Sequence, residues 1–253
     1  VIRFEVDGHV AVISLDRVEA RNAINGAMAE AIEGAIDRLE GDDDLWVGIL
    51  THEGPVFCAG ADLKEIAAGN AGGLATARGG FAGIVARERT KPLIAAVDGH
   101  AVAGGTEIAL ACDLRVASRG SKFGIPEVKR SLVAAAGGLV RLPRVLPPAI
   151  AMELAITGDT LDAERAHHFG MINEVCEPGA VVDAAHALAA RVTANAPLAV
   201  RMSRQLVLDA PGQSDREGMK AAGRALAELS TTDDFAEGPR AFIEKREPNW
   251  TGR

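Results

Sequence analysis

The stretch from Leu93 to Asp113 constrains this chain most. Leu93-Ile-Ala-Ala-Val97 is an apolar run of strand type, Asp98-Gly99 ends it, and helix formers follow from Thr106 onward. Between them Gly104 and Gly105 let the backbone pass close to something that a side chain would block. A helix opening at these glycines leaves its first N–H groups without intrahelical partners, and its dipole favours negative charge there. Glu107 falls in that same first turn. A strand–turn–helix corner therefore couples anion-seeking amides to a carboxylate.

A chain of 253 residues can bury a sizeable core, and its 48% hydrophobic and 25% charged composition is that of an ordinary globular protein. The net charge of −8 argues against a general nucleic-acid or membrane-surface binder, so an anionic ligand needs a local cluster of Arg and Lys. Cys58, Cys112 and Cys176 are odd in number and widely spaced in apolar surroundings, which predicts free thiols in a reducing compartment. The N-terminal Val1-Ile-Arg-Phe-Glu-Val6 lacks a charged leader followed by an apolar segment, and no later stretch is long enough to span a bilayer. A cytoplasmic location without membrane or nucleic-acid partners is the expectation.

Patterning predicts strands at Ile2–Val6, Val10–Leu15, Trp46–Thr51, Leu93–Val97, Leu114–Ala117 and Met171–Cys176. It predicts helices over Asn22–Glu40, from Gly104, and over Phe81–Arg89. Phe57-Cys-Ala-Gly-Ala-Asp-Leu-Lys-Glu65 reads as a strand end, a Gly turn and a helix start, and Gly69–Gly80 as a mobile segment. From about Gly137 the pattern becomes helical apart from Met171–Cys176. Alternating strands and helices predict an α/β core over residues 1–196, followed by a helical C-terminal region over 197–253.

Several chemistries fall away on motif grounds. Gly99-His-Ala-Val-Ala-Gly104-Gly105-Thr106 has the glycine spacing of a phosphate loop but carries Gly105 where its lysine belongs. No dinucleotide fingerprint and no serine-hydrolase elbow occur, and tyrosine is absent. His167 and His168 are adjacent, so on a helix they point to different faces, and no histidine has metal-ligand spacing.

Carboxylates remain. Glu127 follows the Phe123-Gly-Ile-Pro126 turn, and the intervening helix, strand and turn allow the chain to double back and bring it to Glu107. Two carboxylates at one dry site push their pKa values apart and so separate an acid from a base. The bland reading also stands: Glu107 as a helix-dipole partner and Glu127 as a surface residue after proline. A second corner, Ala59-Gly60-Ala61-Asp62, also opens a helix. The two corners either each give one N–H to a shared oxyanion hole or are ordinary strand-to-helix turns.

Taken together, Leu15–Asn22, Phe57–Glu65, Lys91–Gly99, Ala103–Asp113, Phe123–Glu127 and Ala136–Gly138 resemble the crotonase (enoyl-CoA hydratase/isomerase) family, in order and spacing, over nearly the whole chain. The resemblance implies a spiral of ββα units with a helical C-terminal region used in trimerisation, as a homotrimer or a dimer of trimers. It implies an acyl-CoA thioester substrate, with coenzyme A as part of that substrate and no separate cofactor or metal. By the same resemblance Ala61 and Gly104 supply the two oxyanion-hole donors. Glu107 then holds and activates a water, and Glu127 exchanges the proton at the α-carbon. The family's CoA contacts fall on Ala20, Arg21, Ala59, Asp62, Leu63 and Lys64, with Arg17 as a further local cation. Phe242-Ile-Glu-Lys-Arg246 resembles the segment that reaches toward CoA, in the same or a neighbouring subunit.

The implied reaction is reversible syn addition of water to a trans-2-enoyl-CoA, as in fatty-acid β-oxidation. Isomerisation of an enoyl-CoA and dehydration of carnitinyl-CoA are the alternatives, and a non-catalytic acyl-CoA-binding protein is a third. The carnitinyl-CoA alternative rests on Arg141-Leu-Pro-Arg-Val-Leu-Pro-Pro-Ala149, which resembles the dehydratases of that substrate. One departure concerns Ser131-Leu-Val-Ala-Ala-Ala-Gly-Gly138. Ala135 stands where typical hydratases carry a glycine whose amide helps place the water, so the amide is kept and a methyl group is added.

Overall fold

A repeated unit organises the chain: one strand enters a large sheet, the next enters a small sheet, and a helical turn follows. The computed structural model describes residues 1–253. An antiparallel hairpin of β1 (Ile2–Asp7) and β2 (Val10–Leu15) leads into α1 (Gly26–Gly41). The first unit is β3 (Val47–His52), β4 (Val56–Cys58) and α2 (Leu63–Ala67). A small hairpin, β5 (Ala75–Thr76) and β6 (Gly80–Phe81), precedes the second unit of β7 (Leu93–Val97), β8 (His100–Val102) and α3 (Gly104–Ala111). The third is β9 (Leu114–Ser118), β10 (Lys122–Gly124) and a 3₁₀ turn, Pro126–Arg130. Then come α4 (Gly138–Val145), α5 (Pro148–Thr157), β11 (Thr160–Asp162), α6 (Ala163–His168) and β12 (Glu174–Cys176). Four helices complete the chain: α7 (Val181–Thr193), α8 (Pro197–Asp209), α9 (Asp215–Leu229) and α10 (Asp233–Glu244).

The large sheet runs β1-β2-β3-β7-β9-β12 and the small one β4-β8-β10-β11, so each unit adds one strand to each. Within the large sheet every pairing after the first hairpin is parallel. Parallel strands covered on both faces read as continuous apolar runs, which is why β7 is buried at all five positions. Alternate residues divide the work. Leu93, Ala95 and Val97 face the main core with Ile32 and Ile36 of α1, whereas Ile94 and Ala96 join Ile49 and Val116 against Val181, Ala185 and Leu188 of α7. Burial of each large apolar side chain stabilises by roughly 1.5–3 kcal/mol.

Polar anchors fix the ends of these elements. Asn25 caps α1 by accepting from the Met28 amide, and at the other end Lys91 donates from Nζ to the carbonyls of Leu39 (2.7 Å) and Asp42 (2.6 Å). Arg204 of α8 reaches back to Asp113 at 2.8 Å, beside the 2.5 Å Arg89–Asp113 pair. Burial pushes the Asp113 carboxyl up, but these two guanidinium groups hold it below its ordinary value.

Several expectations need correction. Residues 81–89 form β6 and consecutive turns, not a helix: Ala82 and Gly83 both have positive φ (+56° and +68°). A side chain at Gly83 would lie 2.3 Å from the Ala29 carbonyl oxygen, so close approach to α1 overrides local helix propensity. Residues 69–80, read from the sequence as a mobile segment, contain a 3₁₀ turn (Ala71–Leu74) and most of the β5–β6 hairpin. Glu33 of α1 holds this hairpin through Thr76, Arg78 and the Gly79 amide. The helix expected from Asn22 begins at Gly26, because Asn22 sits at φ +53°. The short strands β8, β10 and β11 were not expected at all.

Candidate active site

Two strand-to-helix corners meet beneath one cavity. At the first, Gly60 adopts φ +93°, and Ile24 makes a parallel bridge to Ala61. That bridge uses the Gly60 carbonyl, which accepts from Ile24 at 2.8 Å, and the Asp62 amide, which donates to Ile24 at 2.9 Å. The Ala61 N–H faces away from the bridge and is left over. At the second corner β8 runs into α3 through Ala103, whose φ of +53° and ψ of −128° belong to a region that side chains disfavour. Gly104 is the first residue of α3, so its N–H has no intrahelical acceptor.

The corners touch. A methyl group on Gly60 would lie 2.9 Å from the Ala103 Cβ and 3.0 Å from the Gly104 nitrogen. A methyl on Gly104 would strike the Phe81 ring at 2.5 Å, and one on Gly105 would lie 2.1 Å from the Cys58 carbonyl oxygen. Both glycines are therefore close-packing requirements. Thr106 locks the corner from below: its hydroxyl lies 2.7 Å from the Ala101 carbonyl and 2.8 Å from that of Gly124, and accepts from the Gly124 amide at 2.9 Å.

Above the corners lies a cavity of about 880 Å³ lined by Ala59, Ala61, Gly104, Glu107, Glu127 and Ala135 among others. Glu107 is 3% exposed, and its Oε1 accepts from the Gly138 amide at 2.9 Å. Gly138 is the first residue of α4, so this carboxylate caps the positive end of a second helix. Glu127, in the 3₁₀ turn after Pro126, is half-buried, and its Oε2 is buried without a hydrogen-bond partner. Burial raises the Glu107 carboxyl above its ordinary value and the charge of Glu127 adds to this, outweighing the Gly138 amide. Burial likewise raises Glu127, against the pull of Arg130. The arrangement joins two free backbone donors to two desolvated carboxyls in one apolar pocket, which suits stabilisation of a developing oxyanion together with proton transfer.

The expected CoA-contact residues divide. Ala59 and Leu63 line the cavity, whereas Ala20, Arg21, Asp62 and Lys64 do not. Ala20 and Arg21 sit in the adjoining loop, which is tied to the cavity wall where the Ala59 amide donates to the Arg21 carbonyl at 3.1 Å. Fully buried Asn22 holds that loop by donating to the carbonyls of Glu53 and Val56. Asp62 is engaged structurally: it caps α2 and pairs with Arg17 at 2.8 Å, which holds its carboxyl below the ordinary value. Arg17 is thereby committed, and Arg21 and Lys64 remain as exposed cations of this region.

Sequence reasoning did not find Phe81 as the ring closing the Gly104 corner, or Arg130, Arg141 and Arg144 as cavity residues. Arg141 is fixed by donating to the Val85 carbonyl at 2.5 Å and the Ala136 carbonyl at 3.3 Å. Its separation of 56 residues from Val85 leaves no local signal. Phe242 and Ile243 on α10 are 86% and 79% exposed, and Arg246 is paired with Glu237 and Glu244. All three cysteines are free, and no helix is long and apolar enough to cross a membrane.

Comparison with known proteins gives this geometry its context. The family model described as enoyl-CoA hydratase/isomerase matches residues 5–253. An (E)-benzylidenesuccinyl-CoA hydratase of Thauera aromatica is 36% identical over 99% of both chains. A carnitinyl-CoA dehydratase of Salmonella arizonae is 37% identical over 99% of this chain and 98% of that protein. The crystal structure of an enoyl-CoA hydratase from Mycobacterium tuberculosis superposes with a TM-score of 0.96 at 48% identity, covering 100% of this chain and 99% of the other.

Proposed function

Because the chain belongs to the enoyl-CoA hydratase/isomerase, or crotonase, family, we propose that it hydrates a trans-2-enoyl-CoA thioester by reversible syn addition of water. The observation that carries this reading is the pairing of Glu107 and Glu127, both desolvated, over the same cavity as the spare N–H groups of Ala61 and Gly104.

In this reading the thioester oxygen accepts from Ala61 and Gly104, and polarisation makes the β-carbon electrophilic. Glu107, its geometry set by Gly138, removes a proton from water as the oxygen bonds to the β-carbon. Charge then rests on the enolate oxygen at the head of α3. Glu127 delivers the proton to the α-carbon, and the carbonyl re-forms. The Glu107 carboxylate and the enolate do not compete for one site, since one faces the β-carbon and the other sits on the two amides.

The same groups run in reverse perform dehydration, and the similarity to carnitinyl-CoA dehydratases keeps that direction as a second reading. CoA would lie along Ala59 and Leu63, with its phosphates near exposed Arg21 and Lys64. Self-association into trimers is supported by the exposed apolar residues Val207, Met219, Phe242 and Ile243 on the C-terminal helices. A cytoplasmic place in fatty-acid breakdown is supported by the three free thiols and the family's reaction.

The test is a panel of acyl-CoAs followed by mass spectrometry. Hydration adds the mass of water to a trans-2-enoyl-CoA, whereas isomerisation leaves the mass unchanged. Binding without turnover of any member would contradict the proposal.

A further inference from the structure

The cavity is electrically polarised in a way that hydration of a plain fatty acyl chain does not use. Its walls at positions 59–66 and 80–86 contribute no charged residue. The wall at 126–144 contributes three guanidinium groups, Arg130, Arg141 and Arg144, together with the apolar side chains of Leu132, Val133 and Val140. Only two carboxyls line the cavity, Glu107 and Glu127. A chain of net charge −8 thus places three cations along one wall of this apolar cavity.

The three arginines are not equivalent. Arg141 is spent on the carbonyls of Val85 and Ala136. Arg130 and Arg144 are exposed and form no salt bridge, and Arg130 is near enough to Glu127 to pull on its carboxyl. Guanidinium groups lining an apolar cavity match a carboxylate in charge and in planar, forked geometry. A quaternary ammonium group would meet repulsion at the same wall.

We infer that Arg130 and Arg144 select an acyl group bearing its own anionic group, a second carboxylate carried on the acyl side of the thioester. This rests on the hydratase reading and deepens it by naming the substrate class. The phosphates of CoA are the other anion that could meet these arginines, and they are common to every acyl-CoA. Selection between acyl groups therefore separates the two sources.

The experiment compares kcat/KM for dicarboxylic and monocarboxylic trans-2-enoyl-CoAs of matched chain length. It uses the wild-type protein and the Arg130→Gln, Arg144→Gln and Arg144→Lys variants. The wild type is expected to favour the carboxylated substrate. Either glutamine variant should lower the ratio of the two kcat/KM values by about tenfold or more, with partial recovery in Arg144→Lys. A wild-type ratio at or below one would overturn the inference. So would equal losses on both substrates, the result expected if these arginines hold CoA phosphates or only support the fold. If neither thioester is hydrated, the hydratase reading fails separately. Selection is then read from binding of glutaryl-CoA against valeryl-CoA: preference for glutaryl-CoA that is lost in the glutamine variants supports the inference, and equal binding overturns it.

Discussion

The amide of Gly138, at the head of α4, donates to Oε1 of Glu107, in the first turn of α3, at 2.9 Å. The contact fixes one oxygen of a buried carboxyl that lines the cavity. A Cβ at position 138 would lie 3.1 Å from both Cγ and Oε1 of Glu107 and 3.2 Å from Ile125. Gly138→Ala should therefore shift the carboxyl, lowering kcat by up to about 100-fold with little loss of acyl-CoA affinity. Steady-state kinetics beside a binding titration checks this.

Both site glutamates have carboxyls raised by burial, and the sign of the resulting pH effect is definite. A raised folded-state pKa means that the folded protein binds more protons than the unfolded one between the ordinary and raised values. Stability therefore falls as pH rises through that window. Glu127→Gln removes the contribution of Glu127, so its melting temperature should gain on the wild type as pH rises from acid to neutral. Thermal unfolding across pH measures the difference. The acid limb of kcat/KM should likewise lie above the ordinary glutamate value of about 4.3.

Ala103 holds a conformation suited to glycine (φ +53°, ψ −128°) between β8 and α3. Ala103→Gly relieves strain of about 1–3 kcal/mol against an entropic cost of about 0.4–1 kcal/mol in the unfolded chain. The variant should therefore be more stable by about 1 kcal/mol in chemical denaturation.

Gly105→Ala places a methyl group 2.1 Å from the Cys58 carbonyl, where backbone must move. A loss of about 1–3 kcal/mol or more is expected in the same measurement.

Much of this was legible because local chemistry dictates it. The Leu93–Val97 run, the Gly104–Gly105 opening and the turn before Glu127 each carry a signal within a few residues, but spacing left the pairing of the two carboxyls open, and it is the fold that lines one cavity with both. What escaped depends on distant packing. Residues 81–89 have helical composition, but Gly83 presses against the Ala29 carbonyl. The β5–β6 hairpin is held by Glu33, more than forty residues away. Strands β8, β10 and β11 span three residues each, too few for a periodic pattern. Arg130 and Arg144 became site residues only because the 126–144 segment folds over the cavity.

The most direct measurement of the central claim is loss of enoyl absorbance from crotonyl-CoA in Glu107→Gln and Glu127→Gln, beside acyl-CoA binding to the same variants. A fall of about 100-fold or more in turnover in each, with binding retained, is predicted. Wild-type rates in both variants would contradict the account.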